Sequence, residues 1–109
     1  METRVTTLAG MAEAPTGGIA SRSLLSNPAG SVTLFAFDAG QSIQEHSAPF
    51  DALLQILEGS LEIRIGSENH LASAGQILTL PARIPHALRA PEHARALLTM
   101  IRNPQENRP

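Results

Sequence analysis

Two stretches of sequence decide how this chain folds: GQSIQEHSAPFDALLQILEG at residues 40–59 and GQILTLPARIPHALR at residues 75–89. Each stretch begins with a glycine and contains one histidine, His46 in the first and His86 in the second. The first stretch also ends on a glycine, and a proline precedes the histidine of the second by five residues. Because Gly and Pro mark turns, both histidines are predicted to lie in or beside short extended segments.

The sequence between these stretches has the period of a β-strand. Residues 61–65 read Leu, Glu, Ile, Arg, Ile, so the apolar side chains share one face and the charges share the other. A second apolar segment, 53–57, precedes it across Gly59-Ser60. Since a glycine in a two-residue loop supplies the positive φ of a tight turn, we predict a β-hairpin over residues 53–65.

Turn signals recur at close intervals and separate further strand candidates. These are residues 31–37, 76–80, 86–90 and 95–102, with a shorter edge strand at 21–25. The run ALLTMI at 96–101 is apolar at both odd and even positions and shows no strand-like alternation. A helix is therefore the alternative to a strand there. As a strand it would need cover on both faces, which predicts a homodimer.

Short antiparallel strands must bury their apolar faces against one another, which predicts a sandwich or a barrel. The two stretches quoted above resemble the signature motifs of the cupin family: Gly, His, His, Glu and Gly in the first, and Gly, Pro, Gly and His in the second. The resemblance covers residues 30–102 and is to the small single-domain branch. It implies an all-β fold, a double-stranded β-helix or jelly-roll cupin barrel, with the motif histidines pointing into the lumen.

The ligand set that this resemblance implies is incomplete. Cupins hold a divalent ion with three imidazoles and a carboxylate, but here the second His position is Ala48 and the Glu position is Ala52. His46 and His86 remain, and two neutral imidazoles supply neither the three ligands nor the negative charge of a typical catalytic site. No cofactor is therefore expected, although these two histidines could hold Fe, Mn, Ni or Zn weakly.

Other side chains are candidates for binding a ligand in the lumen. Gln44 has the strand parity of His46 and is the best substitute donor, whereas Glu45 and Asp51 are expected to face away. Phe50 could close the mouth of the lumen as a lid, or simply pack in its loop. The alanines at 48 and 52 enlarge the lumen and make it more apolar, which favours an uncharged or partly hydrophobic guest.

Three further residues stand out. Arg83 could bind a carboxylate or phosphate at the rim, although a solvated loop arginine is the simpler interpretation, and the other two residues have no predicted role in chemistry. Arg83 occupies a Gly position of the second motif, so the local turn must differ from that of the family or carry strain. His70 and His93 fall in or beside predicted turns, and we expect both to be exposed.

The whole chain of 109 residues is predicted to form one domain. A flexible N-terminal arm at 1–20 precedes a cupin barrel domain at 21–103 and a frayed C-terminal tail at 104–109. The absence of cysteine excludes disulfides and thiolate metal sites. With 8 basic and 10 acidic residues and no basic run, nucleic acid is not expected as a partner. No signal peptide and no long apolar run is found, so we expect no membrane partner and a cytoplasmic location.

The sequence leaves three classes of function open. The first is a small-molecule-binding cupin, a sensor or carrier, whose metal site has degraded. The second is an enzyme, either a metal-dependent oxygenase or isomerase with a depleted ligand set, or a metal-free isomerase with His86 as base and His46 as its partner. The third is a structural or interaction domain whose lumen is filled by side chains.

Overall fold

The computed structural model describes residues 3–102 as nine β-strands in two antiparallel sheets. The strands are β1 (Ile19–Asn27), β2 (Gly30–Phe37), β3 (Ser42–His46), β4 (Asp51–Glu58), β5 (Ser60–Ile65), β6 (Glu68–Ser73), β7 (Ile77–Leu80), β8 (His86–Arg89) and β9 (Ala94–Ile101). The first sheet has the order β1-β2-β9-β4-β7, and the second has the order β3-β8-β5-β6. The predicted all-β jelly roll is confirmed. The tail predicted at 104–109 lies outside the described residues.

Over residues 3–102 no helix has the length and apolar character needed to cross a bilayer.

An aliphatic core fills the space between the two sheets. Its largest fully buried side chains are Phe37, Leu54, Ile56, Leu61 and Ile63, and the four in β4 and β5 alternate with less buried residues along their strands. Fully burying a side chain of this size contributes about 1.5–3 kcal/mol. The connections 47–50 and 81–85 lie at the opposite end of β4 from Gly59, and there the side chains are less buried. We call this the open end of the barrel.

The strand assignments made from sequence agree closely with the structure. Residues 96–101 lie in β9, which pairs with β2 on one side and β4 on the other. The strand interpretation of this run is therefore confirmed, and the helix alternative is wrong. Two strands were not foreseen, β3 and β6, because their sequences, SIQEH and ENHLAS, are largely polar and lack a clear apolar alternation.

The predicted hairpin across Gly59-Ser60 is wrong in its pairing. Both flanking segments are strands, but β4 pairs with β7 and β9, whereas β5 pairs with β6 and β8. The turn instead carries the chain from one sheet to the other. Gly59 has a φ of 70°, and a Cβ at this position would collide with the carbonyl oxygen of His93. The glycine therefore permits a close crossing of two chain segments as well as a tight turn.

The segment before β1 packs across the outer face of the five-stranded sheet. Arg95 in β9 ties it down, because its Nε donates to the carbonyl oxygen of Ala12 at 2.9 Å. β1 itself begins at Ile19, two residues before the predicted start of the barrel domain. One face of β9 is thus covered in part by the chain's own N-terminal segment. The residues of this second apolar cluster are Ala12, Leu34 and Ala36, with Leu8, Met11, Ala14, Leu24, Leu57 and Leu97 around them.

Candidate functional site

The two motif histidines meet at the open end of the barrel. Strands β3 and β8 are neighbours in the four-stranded sheet, and their register places His46 directly opposite His86. The ring centroids are 4.4 Å apart, and the ring planes are inclined at 68° in an edge-to-face arrangement. His86 is half-buried and His46 is exposed. The pair therefore forms a surface-accessible site at the rim of the barrel.

A β-bulge in β3 aims His46 at its partner. Ile43 pairs with Leu88 and His46 pairs with His86, so three steps along β3 match two steps along β8. The extra residue changes the alternation of side chains between these positions. The parity argument that placed Gln44 beside His46 is therefore wrong. Gln44 instead lines a groove on the outer side of the sheet.

Backbone carbonyls orient both imidazole rings. The Nδ1 atom of His46 lies 2.9 Å from the carbonyl oxygen of Gln44, and that of His86 lies 3.3 Å from the carbonyl oxygen of Ile84. Because a carbonyl oxygen can only accept, this hydrogen-bond network assigns the proton of each neutral ring to Nδ1. The Nε2 atom of each ring then keeps a lone pair for a proton or a ligand.

Burial lowers the pKa of His86 below its ordinary value of 6.5, because a charged imidazole loses solvation at this position. Repulsion by a protonated His46 lowers this pKa further, while the bond to the Ile84 carbonyl opposes the shift. His86 is therefore largely neutral at neutral pH. It can accept a proton or a hydrogen bond there.

The two alanines of the first motif lie where the resemblance places its missing ligands. Ala52 is buried in β4, between Leu80 of β7 and Met100 of β9. Ala48 is half-buried in the connection 47–50, and its carbonyl oxygen accepts a hydrogen bond from the Arg83 N–H at 2.7 Å. Neither side chain can coordinate a metal or carry a charge. They leave apolar surface beside the histidine pair.

The two acidic residues of the first motif are engaged elsewhere. Glu45 forms an ion pair with Arg64 at 3.4 Å, and both line the outer groove. Asp51 is exposed, and its Oδ1 accepts the Ala82 N–H at 2.8 Å. Both residues were expected to face away from the lumen, and these contacts agree with that expectation.

The donor set does not fit a resident divalent ion. Within residues 3–102, no cluster of three or more His, Asp or Glu side chains is placed to hold a metal. Two neutral imidazoles fall short of the three protein ligands that catalytic zinc sites usually have, and they supply no negative charge to balance a dication. Within the described residues, the site therefore offers a ligand two imidazoles and the groups around them.

Arg83 holds the left-handed backbone conformation that the family's glycine allows, with a φ of 66°. For a residue with a Cβ this conformation costs about 1–2 kcal/mol. Two hydrogen bonds accompany it, from the N–H groups of Arg83 and Ala82 to Ala48 and Asp51. The expected strain is thus present at Arg83. It lies where hydrogen bonds join the connection 81–85 to Ala48 and Asp51 across the rim.

Phe50 and Arg102 form a second contact at this end. The Cζ atom of Arg102 lies 5.3 Å from the ring centroid of Phe50, within the range of a cation–π interaction. Phe50 is half-buried in the connection 47–50. Arg102 was not predicted from the sequence as a residue of the site. The sequence did contain one indication: Arg102 comes two positions after Met100, so strand alternation puts both side chains on the same face.

The remaining histidines lie away from the pair. His70 is in β6 opposite Ile63, half-buried, with its Nε2 3.6 Å from the Glu68 carboxylate. The side chain of His70 is 37% exposed and lies in β6 just after the turn at Gly66 and Ser67, because Glu68 and Asn69, which resemble turn residues, already belong to the strand. His93 is exposed in the connection between β8 and β9, as expected.

Comparison with known proteins identifies the fold and the family. The family model of the cupin domain matches residues 33–102. A conserved protein of unknown function from Streptococcus pyogenes is 35% identical, with 94% of this chain and 90% of that chain covered and a TM-score of 0.87. A cupin superfamily protein from Desulfitobacterium hafniense is 24% identical, with 94% of each chain covered and a TM-score of 0.87, and it supports the fold alone. A cupin 2 conserved barrel domain protein from Leptotrichia buccalis is 31% identical over 81% of this chain and 43% of that chain, with a TM-score of 0.78. Among curated proteins, none matches.

Proposed function

The chain belongs to the cupin family, and we propose that it binds a small organic molecule at the open end of its barrel, beside His46 and His86, without a resident metal ion. One observation carries the proposal: the two motif imidazoles lie 4.4 Å apart, while alanine occupies both of the other ligand positions. Such a site keeps its polar recognition groups and has exchanged its metal ligands for apolar surface.

The chemistry of the two rings supports a binding role. Each Nε2 lone pair can accept a hydrogen bond from a ligand hydroxyl or amide, and each ring becomes a donor when it is protonated. Binding sites for small molecules combine a mainly apolar lining with a few fixed polar groups. Ala52 and Met100, opposite each other on the inner face of the five-stranded sheet, offer such apolar surface. The protein is then a carrier or a sensor of its ligand.

The proposal can be tested by ligand screening with NMR. Imidazole resonances of 15N-labelled protein would be followed while a library of small organic fragments is added. We expect some fragments to shift the His46 and His86 signals together while the exposed His93 signal stays in place. The His86→Ala variant should lose these responses.

Metal analysis supplies the result that would overturn the proposal. Protein purified without added ions or chelators should contain no stoichiometric divalent metal. If it does contain one, and if His46→Ala and His86→Ala each abolish its binding, then the site is a metal centre and the proposal is wrong.

The lowered pKa of His86 favours a second candidate function, metal-free proton transfer. A neutral His86 Nε2 would take a proton from a substrate carbon, and a protonated His46 would return one at another position, so that the substrate isomerises without a net change in protons. The test is incorporation of deuterium from D2O into carbonyl substrates. Exchange that His86→Ala does not reduce would count against this function.

A further inference from the structure

We propose that the ligand is an amphipathic carboxylic acid whose carboxylate is held by the guanidinium group of Arg102 and whose apolar body lies against the inner face of the barrel. This inference rests on the proposed function, because it places the ligand at the same open end as the histidine pair. It adds the chemical class of the ligand and one recognition residue.

The register of the five-stranded sheet locates Arg102. Met100 lies opposite Ala52 and Ile101 lies opposite Asp51, so the next residue of the chain comes alongside Phe50. Its backbone N–H donates to the carbonyl oxygen of Ala29 at 2.9 Å, which continues the pairing beyond β9. Strand alternation puts Arg102 on the face of Met100, toward the inside of the barrel.

The guanidinium group of Arg102 is positioned but incompletely satisfied. Its Cζ lies over the Phe50 ring, 5.3 Å from the ring centroid, and a contact with a ring face takes up none of the N–H donors of the group. The Nε atom is buried and has no hydrogen-bond partner among the described residues. Buried donors in folded proteins are almost always paired, so an unpaired one marks the place of an absent acceptor.

A carboxylate is the acceptor that fits such a group. The N–H groups on one edge of a guanidinium form two parallel hydrogen bonds to the two oxygens of a carboxylate, and this geometry gives both affinity and specificity. A phosphate could use the same edge. The apolar surroundings favour the carboxylate, since it carries less charge and fewer oxygen atoms to be satisfied.

Two acidic side chains of the surrounding elements already contact other groups. Asp51 accepts the Ala82 N–H at 2.8 Å. Glu68 at the start of β6 lies 3.6 Å from His70. The two motif imidazoles are neutral or positively charged. An incoming anion therefore meets positive or neutral groups at the rim, while a cation would meet the guanidinium of Arg102.

The rest of the lining indicates an apolar ligand body. Ala52 and Met100 lie opposite each other on the inner face, and Leu80 lies opposite Ala52 on its other side. None of these side chains offers a hydrogen bond. The sequence predicted a ligand that is uncharged or partly hydrophobic. The inference keeps the hydrophobic part and adds a negatively charged carboxylate at one end.

Three probes of equal chain length test the charge of the ligand. Hexanoate, hexan-1-ol and hexylammonium would each be titrated into the full-length protein, with binding followed by calorimetry and by the imidazole resonances of His46 and His86. We expect hexanoate to bind on the order of tenfold more tightly than hexan-1-ol, and hexylammonium to bind most weakly. Arg102→Gln should remove the preference for hexanoate and leave hexan-1-ol unchanged. Arg64→Gln, which removes the same charge from the outer groove, is the matched control and should change neither.

The outcomes separate this inference from the function on which it rests. If hexan-1-ol perturbs both imidazoles and binds as tightly as hexanoate, the charge class is wrong while the proposed binding site stands. The same conclusion follows if Arg102→Gln and Arg64→Gln have equal effects. If inorganic phosphate binds more tightly than hexanoate in an Arg102-dependent way, the carboxylate assignment is overturned. If no probe binds, the ligand class is wrong, and the fragment screen decides on the site itself.

Discussion

His46 and His86 stand directly opposite each other on neighbouring strands, with their ring centroids 4.4 Å apart and one ring edge directed at the other. Each comes from a different motif, and a bulge of one residue in β3 brings them into register. At this distance a positive charge on one ring disfavours a positive charge on the other. The nearness of His46 is therefore one cause of the lowered pKa of His86, after burial.

His46→Ala should raise the pKa of His86. Removing the neighbouring imidazole removes the repulsion, but burial remains the larger cause, so the pKa should still lie below 6.5. NMR titration of the imidazole signals measures this value directly. His93→Ala, at an exposed position in a connection, is the control and should have no effect. An unchanged His86 pKa in His46→Ala would show that the rings are not coupled.

The same lowered pKa has a consequence for the stability of the fold. Well above pH 6.5 the imidazole of His86 is neutral in both the folded and the unfolded chain, and it makes no pH-dependent contribution. As the pH falls from 6.5 to the folded pKa, the unfolded chain binds the proton first, so the free energy of unfolding decreases. Urea unfolding at pH 7.5 and pH 5 should show a smaller decrease for His86→Gln than for the natural chain.

Restoring the missing ligands should create a metal site. Ala48→His combined with Ala52→Glu returns the imidazole and the carboxylate that the cupin pattern has at these positions, giving four ligands in place of two. We expect the double variant to take up Zn2+ or Ni2+ in a 1:1 ratio by calorimetry. The natural chain should bind these ions only weakly. Ala87→His adds a histidine on the outer face of β8. As the control, it should not increase the uptake of these ions. Equal uptake by the natural chain would contradict the prediction.

Gly59→Ala should be markedly more destabilising than Gly40→Ala. Both glycines have a positive φ, so each substitution incurs backbone strain of about 1–2 kcal/mol. Only at position 59 would the new Cβ also collide with backbone, at the carbonyl of His93, whereas Gly40 has open space. Overpacking of this kind adds about 1–3 kcal/mol. Equal losses in urea unfolding would show that the crossing at Gly59 relaxes freely.

Arg95→Ala should loosen the N-terminal segment. The Arg95 side chain is only 14% exposed, it pairs with Glu58, and its Nε binds the Ala12 carbonyl. We expect a loss of about 1–3 kcal/mol in unfolding and faster hydrogen exchange over residues 8–14. Arg89→Ala breaks a half-exposed ion pair with Glu62 and should cost at most about 1 kcal/mol. If exchange over residues 8–14 stays the same, Arg95 does not hold this segment.

The protein should sediment as a homodimer at micromolar concentration. Both faces of β9 are apolar, and the N-terminal segment covers only part of the outer face. Four large apolar side chains stay exposed on the rest of that face: Leu25, Leu53, Ile77 and Ile101. Their register places them on the outer side of the five-stranded sheet. Leu53→Lys with Ile77→Lys should yield monomers. A natural chain that sediments near 12 kDa would contradict the prediction.

Sequence patterns located the strands better than their partners. Residues 61–65 alternate so regularly that β5 could be assigned without a structure, yet the hairpin with β4 was wrong. Alternation reports only that one face of a strand is buried. It does not report which strand supplies the neighbouring hydrogen bonds, because both sheets of a sandwich bury the same kind of face.

For the candidate site, too, the sequence identified residues but not how they are arranged in space. Motif spacing singled out His46 and His86, and the two alanines followed from comparing the spacing with the cupin pattern. Gln44 was assigned to the wrong face because one extra residue in β3 shifts the parity, and the sequence SIQEH carries no sign of that bulge. Arg102 was missed because its importance comes from a contact with Phe50, half the chain away.

The amino-acid sequence by itself determined the fold class, most of the strands and the presence of alanine at two motif positions, because turn residues, period and motif spacing are local properties of a chain. Only the tertiary structure decided how the strands pair, that the two imidazoles touch, and that the Nε of Arg102, without a partner among the described residues, lies at the same end. These features depend on register between segments far apart in the chain, and a single residue of slip changes which side chains share a face.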